Sequence, residues 1–343
     1  MSALPTVSLA GTASYLPARV VENDFFGDEA TPRAAMFRGA RTRHHVAEGE
    51  SAASMLEQAT RTLCTRLGVD PAREIDLILT NVSVPDMPML GSGAALARLL
   101  GASPRQIVDV HNCGCVSFVF MMQLARLLMA STGARTALLG NVQNAGGRIF
   151  AHPENRSKPQ SAVPGDGCGV GLLVASEESP VRSIVVRAFP EFADDMRAIS
   201  DDGHAWWEPR ATPLHIDFTE SRMASIVTRG NRLVPDVVRA ACADASIAPR
   251  DIGLLVTNQP SPIFLRNWRE ALSVRPEAHV DTFAEHGNLF GAALPIAFER
   301  AERDGKLRPG TKVVFGGFSH AGDYAAAAVV DWRVGTAGAA SAA

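Results

Sequence analysis

Short apolar runs recur along this chain in a fixed order, and the order is used twice. Asp76-Leu-Ile-Leu-Thr-Asn81, an apolar run closed by Thr-Asn, returns about 175 residues later as Asp251-Ile-Gly-Leu-Leu-Val-Thr-Asn258. Ile107-Val-Asp-Val110 is echoed by His279-Val-Asp-Thr282, each followed by a turn and then a helix-like stretch. Thr136-Ala-Leu-Leu-Gly140 through Asn144-Ala-Gly146 matches Lys312-Val-Val-Phe-Gly-Gly317 through His320-Ala-Gly322. Gly165 to Ala175 and Asp323 to Val330 then read as closing strands of small and branched residues. Strands alternating with helical patterns predict α/β halves. Four echoes in register predict a pseudo-twofold fold of two halves, 1–178 and 179–343.

The repeat says which turns face each other. In the first half the turn between strand and helix carries Asn112-Cys-Gly-Cys115; in the second half it carries Glu285-His-Gly-Asn288. Residues 116–131 are apolar almost all round, the pattern of a helix buried on every side. Cys115 stands at the first turn of that helix, where free backbone N–H groups and the helix dipole favour a thiolate. Such placement lowers a cysteine pKa from about 8.5 towards 7 or below. Cys113, two residues away, is the competing nucleophile. Residues 194–218 have no counterpart in the first half; their Trp206-Trp207 pair would either shape an acceptor site or pack as a flap.

Bulk properties narrow the partners. The 343 residues are 46% apolar and 20% charged, ample for a soluble core, and the net charge of −3 without a basic block argues against nucleic acid. No apolar run reaches the roughly 18 residues of a membrane span, and the N-terminus lacks a basic secretory n-region. Five scattered cysteines form neither a disulfide framework nor a zinc site, so no metal is expected and a reduced cytoplasm fits best.

The run from Asp109-Val through Cys115 and Phe118, then Gly165-Asp-Gly-Cys-Gly, His286-Gly-Asn288 and Gly316-Gly-Phe318, resembles ketoacyl synthase III of the thiolase superfamily. Residues 38–44 resemble the basic motif beside that family's pantetheine entrance, which would put Arg38 and Arg41 at the thioester mouth. The resemblance covers roughly residues 5–333. It implies a five-layered αβαβα thiolase fold and a homodimer. It implies no resident cofactor: the thioester, on coenzyme A or acyl carrier protein, is the substrate. By position, the Cys115 amide and a glycine amide from Gly316 or Gly317 would form the oxyanion hole. The loop at residues 83–93 would lie at the dimer interface, with Met87 or Met89 reaching the partner's pocket.

One departure bears on function. The condensing enzymes of the family carry their histidine in a His-Gln-x-Asn motif, and here that place reads Asn258-Gln-Pro-Ser261. With His286 and Asp323 present, the pattern is similar to a natural-product acyltransferase branch of the cervimycin malonyltransferase type. Carried over by motif, the triad is Cys115, His286 and Asp323, with Asn288 and Asn258 as accessory polar groups and His111 and His320 as bystanders. The chemistry agrees: acyl transfer to a hydroxyl needs a nucleophile, a base, a carboxylate that orients the base, and oxyanion donors. The expected activity is transfer of an acyl group, with any malonyl carboxylate retained, to a hydroxyl of a small natural-product acceptor, sugar-bearing or not. The alternatives are a decarboxylative condensing enzyme and a non-catalytic partner subunit of a condensing heterodimer.

Overall fold

A computed structural model describes residues 5–27, 38–111, 113–217 and 220–333. The first sheet comprises β1 (Ser8–Tyr15), β4 (Leu77–Val82), β5 (Gln106–Asp109), β6 (Thr136–Gln143) and β7 (Gly167–Val174), in the order β1-β7-β6-β4-β5. A short ribbon, β2 (Arg19–Glu22) with β3 (Thr42–His45), and a hairpin, β9 (Arg197–Ile199) with β10 (His215–Asp217), lie outside the main sheets. The second sheet holds β8 (Val181–Ala188), β11 (Leu254–Thr257), β12 (Thr311–Ser319) and β13 (Tyr324–Trp332), in the order β8-β13-β12-β11. A parallel bridge from Leu255 to His279 supplies the place that β5 fills in the first sheet. Strand by strand, β1, β7, β6 and β4 correspond to β8, β13, β12 and β11, with the same parallel and antiparallel pairings.

Eight helices complete the described chain: α1 (Ala52–Leu67), α2 (Pro71–Glu74), α3 (Gly93–Leu100), α4 (Ser117–Thr132), α5 (Glu220–Asp244), α6 (Pro262–Ala271), α7 (Phe283–His286) and α8 (Ala293–Arg303). α1 starts on a Ser51–Ser54 capping box and stops at Gly68 in the left-handed region. α1 and α3 cover the outer face of the first sheet, and α5, braced by α6, covers the outer face of the second. α4 and α8 lie between the sheets: α4 touches β4, β6, β8 and β13, and α8 touches β1, β7 and β11. The layers therefore run α, β, α, β, α.

The central core joins Phe118, Met121, Met122 and Met129 of α4 to Phe298 of α8 and Phe315 and Trp332 of the second sheet. Here the sequence expectation on membrane spans needs correction. Gly114–Thr132 is long and apolar enough to cross a bilayer by length and composition. In the fold it is the inner-layer helix packed between two sheets, but Leu127 is 47% exposed and Ala130 and Ser131 face outward, so the expectation of a helix buried on every side is corrected.

Candidate active site

The C-terminal ends of β4, β5 and β6 aim one loop at the second half. Thr80 accepts from the Val110 amide at 2.7 Å, and Asn81 Nδ2 donates to the Val110 carbonyl at 2.8 Å. The chain then enters the left-handed region at Cys113 (φ +66°) and passes through Gly114 into a 3-10 turn, Gly114–Val116, that leads into α4. The Ser117 hydroxyl donates to the Gly114 carbonyl at 2.7 Å and accepts from Asn141 Nδ2 at 2.6 Å. Cys115 is thus presented by a turn held from beneath by side chains of β4, β6 and α4. Asn112 lies outside the described residues.

Cys115 borders a cavity of about 330 Å³. Asn81, His111, Asn288, Phe318 and His320 share its wall, and Met196, Ala198, Leu214, His215 and Ile216 of the β9–β10 hairpin region cap it. None of the described residues lining it is an aspartate, glutamate, lysine or arginine. Burial pushes the Cys115 thiol up to about 12, against hydrogen bonds to its sulfur from the His320 and Cys115 amides and the Asn258 side chain. The expectation of a thiolate lowered by the helix start is therefore corrected: desolvation outweighs the N–H donors and favours the thiol.

His286, the base candidate to which the repeat pointed, lies away from the cavity wall. His286 is buried, its ring 5.5 Å from the His44 ring, and burial lowers its pKa to about 4. It does not line the cavity, and Asp323 is not its partner. Asp323 lies 2.9 Å from His320 Nδ1 and accepts from Ser319 Oγ at 3.2 Å. The His320 ring lies over Gly114: a Cβ there would stand 2.7 Å from His320 Nε2. Nδ1 faces the carboxylate, so Nε2 is the ring nitrogen turned towards the Cys115 turn. The structure therefore does not bring His286 and Asp323 together as the motif implied: Asp323 pairs with His320, and both stand by the Cys115 turn.

The glycines expected at the oxyanion hole lie in β12. Gly316 faces α5, where a Cβ would meet Val238 at 2.7 Å, and both Gly316 and Gly317 pair within β12–β13. Gly317 leaves room for Val116 and for Asn258, whose Oδ1 would lie 2.5 Å from a Cβ there. The amides that reach the Cys115 sulfur are those of Cys115 and His320. Asn258 Nδ2 donates to the Phe318 carbonyl at 3.1 Å, so this buried amide ties β11 to β12 behind the nucleophile. Asn288 does border the cavity, while its Oδ1 accepts from the Phe290 amide at 3.0 Å.

Arg38 and Arg41 are exposed and outside the cavity wall, and the Arg41 amide donates to Ala284. Asp166 of the Gly165-Asp-Gly motif accepts from the Val46, Gly146 and Gly147 amides at 2.7–2.8 Å, a clamp behind the site. Met87 and Met89 are exposed on the residue 83–93 loop. Of the two readings of residues 194–218, the hairpin shapes the cavity, but Trp206 and Trp207 stand exposed, edge to face, away from it. Sequence reasoning missed Asn81, Ser117 and Asn141; Asn81 was visible only as a strand end.

Comparison with known proteins accords with this architecture. Residues 242–332 match the family described as 3-oxoacyl-[acyl-carrier-protein] synthase III C terminal. A beta-ketoacyl-[acyl-carrier-protein] synthase III of Gloeobacter violaceus is 26% identical over 327 residues, covering 92% of this chain and 95% of the relative. One from Rhodobacter capsulatus is 27% identical, covering 89% and 92%. The crystal structure of 3-oxoacyl-(acyl carrier protein) synthase III from Pseudomonas aeruginosa PAO1 superposes with a TM-score of 0.81 at 23% identity, over 96% of this chain and 99% of that one. Cerulenin-bound OleA of Xanthomonas campestris gives 0.79 at 18%, over 95% and 97%. The fold is the thiolase fold, and the matches support an enzyme of the ketoacyl synthase III kind.

Proposed function

We propose that this protein is a cytoplasmic acyltransferase of natural-product biosynthesis. It takes an acyl group from a coenzyme A or acyl-carrier-protein thioester onto Cys115 and passes it to the hydroxyl of a small acceptor. The observation that carries the reading is the His320–Asp323 pair against the Cys115 turn, together with an amide, Asn258, where the condensing enzymes have their imidazole.

In the first half-reaction His320 Nε2 takes the proton of the Cys115 thiol as Sγ attacks the thioester carbonyl. The Cys115 and His320 amides hold the oxyanion; the donor's carbon–sulfur bond breaks, and His320 returns the proton to the departing thiolate. In the second, His320 takes the acceptor's hydroxyl proton while its oxygen attacks the acyl carbonyl. The carbon–Sγ bond then breaks, the proton passes to Sγ, and an ester leaves. Asp323 keeps the imidazole in the required tautomer and stabilises its charged form. A cavity wall whose described residues include no carboxylate, lysine or arginine suits an uncharged acyl chain and an acceptor recognised by hydroxyls, with or without a sugar. The exposed β5 edge and the Met87–Leu90 loop offer the face for a second copy of the chain.

Decarboxylative condensation is the second reading, favoured by the names of the relatives and by Asn258 and Asn288 near Cys115. The test is an enzyme preloaded with a butyryl group and offered an alcohol alongside a malonyl thioester labelled at its free carboxyl. Ester without labelled carbon dioxide is expected. Labelled carbon dioxide released in step with a new carbon–carbon bond would restore the condensing enzyme.

A further inference from the structure

Between the cavity cap and the His320 turn lies a buried arginine that the reaction does not use. Arg229 of α5 is only 7% exposed. Its Nη2 lies 2.6 Å from Asp195, and its guanidinium lies over the Phe192 ring at 3.6 Å. Nη1 is buried with no partner. On its other side the arginine's stem presses on Gly322, where a Cβ would meet Arg229 Cδ at 2.8 Å and where φ is +108°. Gly322 lies in the Ser319–Asp323 turn, closed by its own amide donating to the Ser319 carbonyl at 2.7 Å. A second tie joins the same two segments: the Phe189 amide donates to the Asp323 carbonyl at 2.7 Å.

We infer that Arg229 is a positioning residue that couples the cap to the catalytic base. Residues 189–195 lead directly into the hairpin whose Met196 and Ala198 wall the cavity. Arg229 is clamped to that segment by Asp195 and Phe192, and its stem packs on Gly322 of the turn that holds His320 at a left-handed φ of +47°. A cap seated on its substrate therefore keeps the turn in register with Cys115. A displaced cap releases the arginine and, with it, the wall against which Gly322 rests. The inference rests on the reading of His320 and Asp323 as the base pair.

The test replaces the buried pair as a unit, Arg229→Met with Asp195→Asn, because removing both partners avoids stranding a buried charge. The folded full-length variant should keep its KM for butyryl-coenzyme A and lose about 10- to 100-fold in kcat for transfer to an alcohol. His320→Ala should then cost far less in this background than in the unmodified enzyme, since residues acting through one group are non-additive. The variant's transfer rate should also keep climbing with hydroxide where the unmodified enzyme levels off. Phe192→Leu, which removes only the stacked ring, should show the same coupling at about 3- to 10-fold. Additive losses would show that Arg229 does not act through His320 and would overturn the inference while leaving the base intact. If His320→Ala leaves transfer unchanged in the unmodified enzyme, the base assignment itself fails, and the inference with it.

Discussion

His320 occupies a backbone region that costs a non-glycine residue about 1 kcal/mol or more, and it is held there by its neighbours. The Gly322 amide closes the turn, and Asp323 takes the ring's Nδ1. His320→Ala should lower transfer by about 100- to 10,000-fold, measured as ester formation at saturating donor. Cys115→Ala should show no acyl adduct by intact mass, whereas Cys113→Ala should load. Cys113 is fully buried, with its thiol pushed up to about 12 by desolvation, and it does not line the cavity. His286→Leu should keep kcat within about threefold while costing about 1–3 kcal/mol of stability in denaturant. The place of Cys115 was legible from the repeat and from its position before an apolar helix; the His320–Asp323 pair beside it was not. The repeat does bring the second-half turn to the first, and Asn288 borders the cavity. α7 ends at His286, however, and Gly287 at φ +64° reverses the chain, so the two side chains point different ways. No strand period could have placed the imidazole, because His320 lies one residue past β12 in the left-handed region.

The contact between the two turns depends on one absent side chain. Gly291 sits in the 3-10 turn Phe290–Ala292. There a Cβ would stand 2.5 Å from Ser117 Oγ, 2.7 Å from Asn141 Nδ2 and 2.8 Å from the Gly114 carbonyl. Gly291→Ala must push the Cys115 turn away from the turn that follows Asn288. It should destabilise by about 1–3 kcal/mol and slow Cys115 loading more than tenfold, by thermal melting and stopped mass spectrometry respectively. The long strands β4, β6, β7, β12 and β13 were readable because each is a largely buried run of apolar or small residues, and α4 because its apolar run is long, although its Leu127 face is exposed. β9 and β10 were not: three residues each, mixed in polarity, they are too short to carry a period. The β10 side of the hairpin is docked by side chains instead, Asn155 donating to Leu214 and Gln160 to Ile216, both at 2.8 Å.

Across the whole molecule, buried histidines tie stability to pH. Burial lowers His45 to about 4, His279 to about 3 and His286 to about 4. Each stays neutral in the fold while its unfolded counterpart takes up a proton below about 6.5, so stability is lost as pH falls from there towards 4. Asp166, raised by burial to about 7, runs the other way: it keeps its proton in the fold, so its contribution fades as pH rises through the same window. Three groups oppose one, and Tm should fall by about 5 °C or more between pH 7 and pH 4.5. A Tm that rises on acidification would contradict these burials. The division of labour between the sheets has a further consequence. Cys115 precedes the first sheet's closing strand, His320 follows β12 of the second, and the exposed Glu177 and Glu178 join the two sheets on the chain. Severed between those glutamates, the chain becomes two polypeptides, each with half of a shared apolar layer and half of a reaction. Mixed, they should reassemble through α4 and α8. At dilution their activity should scale with the product of the two fragment concentrations, so that ester formation becomes a readout of whatever brings two tethered proteins together.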